Sequence, residues 1–166
     1  YPFSVSEQFQ VRNTNATIEQ SKERLKRISE SLEGTNKTLL VYLSMGFGNP
    51  YGDPWSEAHV LTLAKELYET MGIAHFALSD TIGCATPVLI EHLYPYLTVA
   101  LKDVEWGLHL HSKPENTNAI IQSAIKVGCQ RMDSALLGIG GCPMAADGLT
   151  GNLATEQLIN VLEVKN

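Results

Sequence analysis

Two histidines stand two residues apart in the run Trp-Gly-Leu-His-Leu-His-Ser-Lys-Pro, residues 106–114. On an extended chain, residues i and i+2 project from the same face. His109 and His111 therefore face one way, and Leu108 and Leu110 the other. Two imidazoles so placed can chelate one cation, or can stand as a pair of hydrogen-bonded core histidines; spacing alone leaves both open. Further along, Gly138-Ile139-Gly140-Gly141-Cys142-Pro143 packs glycines densely before a thiol. Glycine admits unusual backbone angles and close approach of a ligand. Nearby backbone amides can lower a thiol pKa, which would make Cys142 an acid or base near neutrality. The competing reading is a glycine-rich turn with an inert small side chain. Asn152 can offer its carbonyl oxygen to a hard cation, or cap the last helix. Asp80, in Leu-Ser-Asp-Thr-Ile-Gly, can orient a catalytic group, or accept hydrogen bonds from the amides of its own turn. His59, His75 and His92 fall on helices or at a strand's start and read as structural or surface residues. Cys84 and Cys129 lie beside helices and read as packing residues.

Helices and strands must position these side chains, and both are legible. Ile18, Leu25, Ile28 and Leu32 share one helical face; Thr17 with Gln20 fits a capping box and Gly34 a stop. Ser56 opens a second helix, lined by Val60, Leu63, Ala64, Leu67 and Met71 and ended by Gly72. Thr86 caps a third, with Pro87 at its first position. Residues 115–128 and 155–163 give two more. Apolar runs lie between them at 38–44, 75–80, 105–111 and 130–137, and the opening Tyr-Pro-Phe-Ser-Val-Ser-Glu reads as a fifth. Apolar strands alternating with amphipathic helices predict a parallel sheet with helices outside. The strand spacing is about 30 residues, the size of one βα unit. After each run the chain turns polar or glycine-rich, which suits a barrel with its active site at the strand C-termini better than a single crevice at a switch point. The predicted fold class is therefore α/β: the C-terminal portion, about strands four to eight, of a TIM (β/α)8 barrel. Residues 1–166 form one partial barrel domain. A whole barrel needs about 250 residues, so the N-terminal strands are expected to lie outside this chain.

The totals narrow the function classes. With 166 residues, 44% hydrophobic and 18% charged, the chain reads as a globular domain with a sizeable core. A net charge of −6 gives no pull toward nucleic acid or an anionic membrane. No apolar run approaches the roughly 20 residues of a membrane helix, and no signal peptide is visible at the start. Three cysteines without framework spacing point to a reducing, cytoplasmic setting.

Taken together, Leu-Ser-Asp-Thr-Ile-Gly, His-Leu-His and above all Gly-Ile-Gly-Gly-Cys-Pro-Met-Ala…Gly-Asn-Leu-Ala-Thr-Glu resemble the 3-hydroxy-3-methylglutaryl-CoA lyase family of barrel metallolyases. The opening residues 4–21 are similar to the lyase segment after barrel strand four. The resemblance implies that His109, His111 and Asn152 ligate a divalent cation, Mg2+ or Mn2+. It implies that Cys142 takes part in proton transfer, that His109 and Asp80 belong to the catalytic group, and that Glu156 supports it. It implies an acyl-CoA substrate, a homodimer, and a place in leucine degradation and ketone-body formation. An Arg-Asp pair on strand one and a Glu on strand two would fall outside the chain, so the chain alone is expected to be inactive. Two departures put the exact substrate in question: Ser-Lys-Pro-Glu-Asn-Thr follows His111 where lyases commonly show an acidic-glycine run, and the cysteine loop is one residue longer. An acyl-transferring synthase of the homocitrate or isopropylmalate type is the competing activity, and Cys142 argues against it. An inactive half-barrel, with two unpaired edges and an apolar inner face, is the third reading.

Overall fold

The computed structural model of the chain describes residues 1–141 and 150–163. Strand β1 (Pro2–Ser4) leads into helix α1 (Glu7–Thr14) and helix α2 (Ile18–Leu32). Then come β2 (Leu40–Ser44), α3 (Glu57–Met71), β3 (His75–Asp80), α4 (Pro87–Ala100), β4 (Glu105–Ser112) and α5 (Pro114–Lys126). A two-residue strand β5 (Met132–Asp133), a 3-10 turn (Leu136–Gly138), a two-residue strand β6 (Gly151–Asn152) and helix α6 (Thr155–Glu163) complete it. Strands β1 to β5 are parallel and lie side by side in chain order. A doubly wound sheet reverses that order at a switch point; unbroken order with a helix in each crossover is the winding of a barrel wall.

The helix ends form as their residues dictate. Thr17 and Gln20 make the reciprocal capping box. The Ser56 side chain accepts from the His59 amide, and Gly72 ends α3 in the left-handed conformation at φ 65°. Thr86 caps α4, with Pro87 in its first turn.

Register divides the sheet into two faces. Partners across the parallel pairs set Phe3, Val41, Leu43, Phe76, Leu78, Trp106, Leu108 and Leu110 on the outer face, where they are buried with Leu25, Val60, Leu67, Ile90, Leu97 and Ile121 of the helices. The opposite parity carries Tyr42, Ser44, Ala77, Ser79, Gly107, His109 and Asp133. That inner face is polar rather than apolar, which corrects the expectation for an open half-barrel.

Two boundaries differ from the sequence reading. The apolar run 130–137 yields a strand only at Met132–Asp133; Leu136 and Leu137 leave it for the 3-10 turn and are exposed. Helix α1 was not expected. Its eight residues, Glu-Gln-Phe-Gln-Val-Arg-Asn-Thr, are short and polar and bury only Phe9 and Gln10, too few for a helical period to show. The Ser6 cap that starts it also donates to Asp53, a partner far away in sequence. Among the described residues no helix is long and apolar enough to cross a membrane.

Candidate active site

The C-terminal ends of β2, β3 and β4 surround a cavity of about 300 Å³ lined by Tyr42, Ser44, Ser79, His109, His111 and Asn152, with Thr81 and Gly141 at its margin. Alternation along β4 puts both histidines on the inner face, and their Nε2 atoms approach to 3.3 Å. Strand β6 runs antiparallel to the end of β4 and sets Asn152 opposite His111. This pairing brings the third expected side chain to the same opening. Asn152 does not cap α6, which begins at Thr155. Its Nδ2 donates to the Ile139 carbonyl at 3.1 Å, and the acceptor of that amide is its Oδ1. The Tyr42 ring stands edge-on to His109 at 5.3 Å between centroids.

Electrostatics favour neutral imidazole. His111 is buried, and burial, then the nearby His109, lower its pKa to about 4. It is therefore unprotonated near neutrality and keeps a lone pair for a ligand. The His111 Nδ1 is buried without a hydrogen-bond partner. Two facing Nε2 atoms can share one proton or donate both lone pairs to a cation. Two imidazoles and a carboxamide oxygen are donors that Mg2+ or Mn2+ accepts when further oxygen ligands complete the shell. Among the described residues no group of three His, Cys, Asp or Glu side chains could hold a metal. The fit therefore rests on the carboxamide as third donor.

The remaining candidates lie elsewhere. The Asp80 carboxylate accepts from the amides of Cys84 at 3.0 Å and Ala85 at 2.7 Å. Buried at the end of β3, it builds the turn into α4, whose Thr81 hydroxyl accepts from the Met45 amide at 3.1 Å. Asp80 does not line the cavity. Glu156, exposed in the first turn of α6, accepts from the Leu137 amide at 3.0 Å and so ties that helix to the 3-10 turn. Cys142 lies outside the described residues. Cys84 is half-buried, and burial, then Asp80, push its thiol up to about 12; this suits the packing role assigned to it. Sequence reasoning passed over Asp133 and Tyr42. Asp133 sits beside His109 in register, and its Oδ2 is 3.3 Å from His109 Nδ1. A lone carboxylate inside the apolar run Arg-Met-Asp-Ser-Ala-Leu-Leu was the available signal.

Known proteins share the sequence pattern and the fold of this chain. The HMGL-like family model matches residues 3–166. The chain is 34% identical over 160 residues, 96% of its length and 49% of the relative's, to hydroxymethylglutaryl-CoA lyase, mitochondrial, of Pongo abelii. It is 33% identical over 160 residues to hydroxymethylglutaryl-CoA lyase YngG of Bacillus subtilis, covering 96% of this chain and 53% of that one. It superposes with a TM-score of 0.88 and 31% identity on an HMG-CoA lyase from Acinetobacter baumannii in complex with coenzyme A and 3-methylmalate, covering 99% of this chain and 53% of that one. The chain spans about half the length of the relatives it matches. Its parallel sheet and helices match part of a TIM barrel.

Proposed function

The chain belongs to the HMGL-like family, and from that premise we propose that it carries the C-terminal face of a carbon–carbon lyase dependent on a divalent cation. The substrate proposed is 3-hydroxy-3-methylglutaryl-CoA or a close acyl-CoA analogue, and the products are acetyl-CoA and acetoacetate. One observation carries the reading: His109, His111 and Asn152, drawn from β4 and β6, meet at one cavity on the C-terminal end of the sheet. When bound, Mg2+ or Mn2+ supplies Lewis acidity that eases deprotonation of a tertiary alcohol beside a carboxylate.

The residues divide the work. Neutral His111, His109 and the Asn152 carboxamide hold the cation, and His109 also borders the reacting hydroxyl. As that proton leaves to a base, the electron pair of the C2–C3 bond passes to C2, and C3 becomes the ketone of acetoacetate. Protonation of C2 then yields the acetyl thioester. Cys142 is assigned as the proton donor; Gly141, just before it, borders the cavity. Asp80 and Glu156 act at one remove, by holding the turns after β3 and β5.

The test is a metal-dependent assay on the full-length protein for acetoacetate released from 3-hydroxy-3-methylglutaryl-CoA. Release that requires Mg2+ or Mn2+ and falls sharply in Cys142→Ala supports the lyase. Liberation of coenzyme A only when acetyl-CoA is given with a 2-oxo acid would assign a synthase instead.

A further inference from the structure

Contacts on the inner face run continuously from the start of the strands to the cavity. His75 Nδ1 lies 3.2 Å from Glu105, Glu105 lies 3.3 Å from Arg131 Nε, and Arg131 Nη1 lies 3.7 Å from Asp133 Oδ1. Asp133 Oδ2 then faces His109 Nδ1 at 3.3 Å, and neither atom has another hydrogen-bond partner. The Tyr42 hydroxyl bonds the same carboxylate. Asp133 is thus braced by Arg131 and Tyr42, and Arg131 is itself anchored by its 2.7 Å bond to the Phe76 carbonyl.

We propose that Asp133 is a positioning residue that fixes His109 as the Nδ1–H tautomer and so presents the Nε2 lone pair to the cavity. An imidazole nitrogen can ligate only through a bare lone pair, and a carboxylate behind the ring selects which nitrogen that is. Nδ1–H facing Oδ2 leaves Nε2 unprotonated on the side of His111. This inference rests on the proposed function only in reading His109 as a ligand.

Metal-free full-length protein labelled with 15N-histidine gives the first readout, the long-range 1H–15N spectrum. Wild-type His109 is expected to show a protonated Nδ1 and a bare Nε2. Asp133→Ala removes the acceptor and should shift the ring toward Nε2–H, while Asp133→Asn keeps a carbonyl acceptor and should retain the wild-type tautomer. The second readout is Mn2+ binding by electron paramagnetic resonance. Asp133→Ala should bind about 10–100-fold more weakly, and Asp133→Asn should recover part of the loss. A wild-type His109 protonated on Nε2 overturns the proposal, and so does an Nδ1–H ring that persists in Asp133→Ala. The wild-type spectrum decides alone should Asp133→Ala fail to fold. A shifted tautomer in a protein without lyase turnover supports the positioning role and rejects the proposed reaction.

Discussion

Adding one methyl group at Gly107 tests how the inner face is packed. Gly107 does not have a positive φ, so alanine meets no backbone penalty there. A Cβ at this position would stand 2.4 Å from Arg131 Cζ and 2.5 Å from Nη2. The guanidinium must then swing away, breaking its bond to the Phe76 carbonyl at 2.7 Å and its 3.3 Å pairing with Glu105. A charged hydrogen bond is worth about 1.5–3 kcal/mol; at 26% side-chain exposure the lower end applies, and the exposed Glu105 pair adds at most about 1 kcal/mol. Replacing a strand glycine by alanine returns about 0.5–1 kcal/mol. The net cost of Gly107→Ala is about 1.5 kcal/mol. With a urea m value of about 2 kcal/mol/M, the midpoint should fall by roughly 0.7 M. Fluorescence of the adjacent Trp106 follows the transition. In an Arg131→Ala background the obstruction is gone, so the same substitution should be stabilising by about 0.5–1 kcal/mol, a coupling of about 2 kcal/mol. An equal cost in both backgrounds would refute the packing argument.

Two further outcomes are measurable. With its pKa near 12, Cys84 holds roughly a thousandfold less thiolate at pH 8 than an ordinary thiol. Iodoacetamide should therefore label the Cys84 peptide about that much more slowly in native protein than in urea-unfolded protein, and comparable rates would contradict the buried pairing with Asp80. Thr17→Ala removes the hydroxyl that accepts from the Gln20 amide at 3.1 Å and should cost about 1 kcal/mol in a urea titration, whereas Thr17→Ser should not.

Local signals made the fold legible. Thr17, Ser56, Thr86 and Gly72 form caps whose partners lie within four residues, so no distant information is needed to place them. The histidine pair was legible for the same reason, because strand alternation alone sets both rings on one face. Asn152 was harder. Its placement depends on an antiparallel pairing of β6 with β4, joined across residues far apart in the chain, and a two-residue strand has no period to read. Asp133 was hidden by its setting. In an apolar run a single carboxylate looks incidental until register lays it against His109. Helix α1 had neither period nor length, and its anchor is the contact of Ser6 with Asp53.

The antiparallel bridge between Gly141 and Gly151, reinforced by the Asn152 amide on the Gly140 carbonyl at 3.3 Å, acts as a drawstring. The chain leaves the sheet and returns to it through one paired gate, and that gate is stitched to β4 at His111. Whatever stretch is threaded between its two sides, the ends stay fastened at the same place. Doubling such a stretch adds only about 0.6 kcal/mol of closure entropy. Lengthening or shortening this insert by a residue should therefore leave the Asn152 backbone in its seat beside His111. Tolerance for variation in that stretch and constancy at the cavity follow from a single knot of backbone hydrogen bonds.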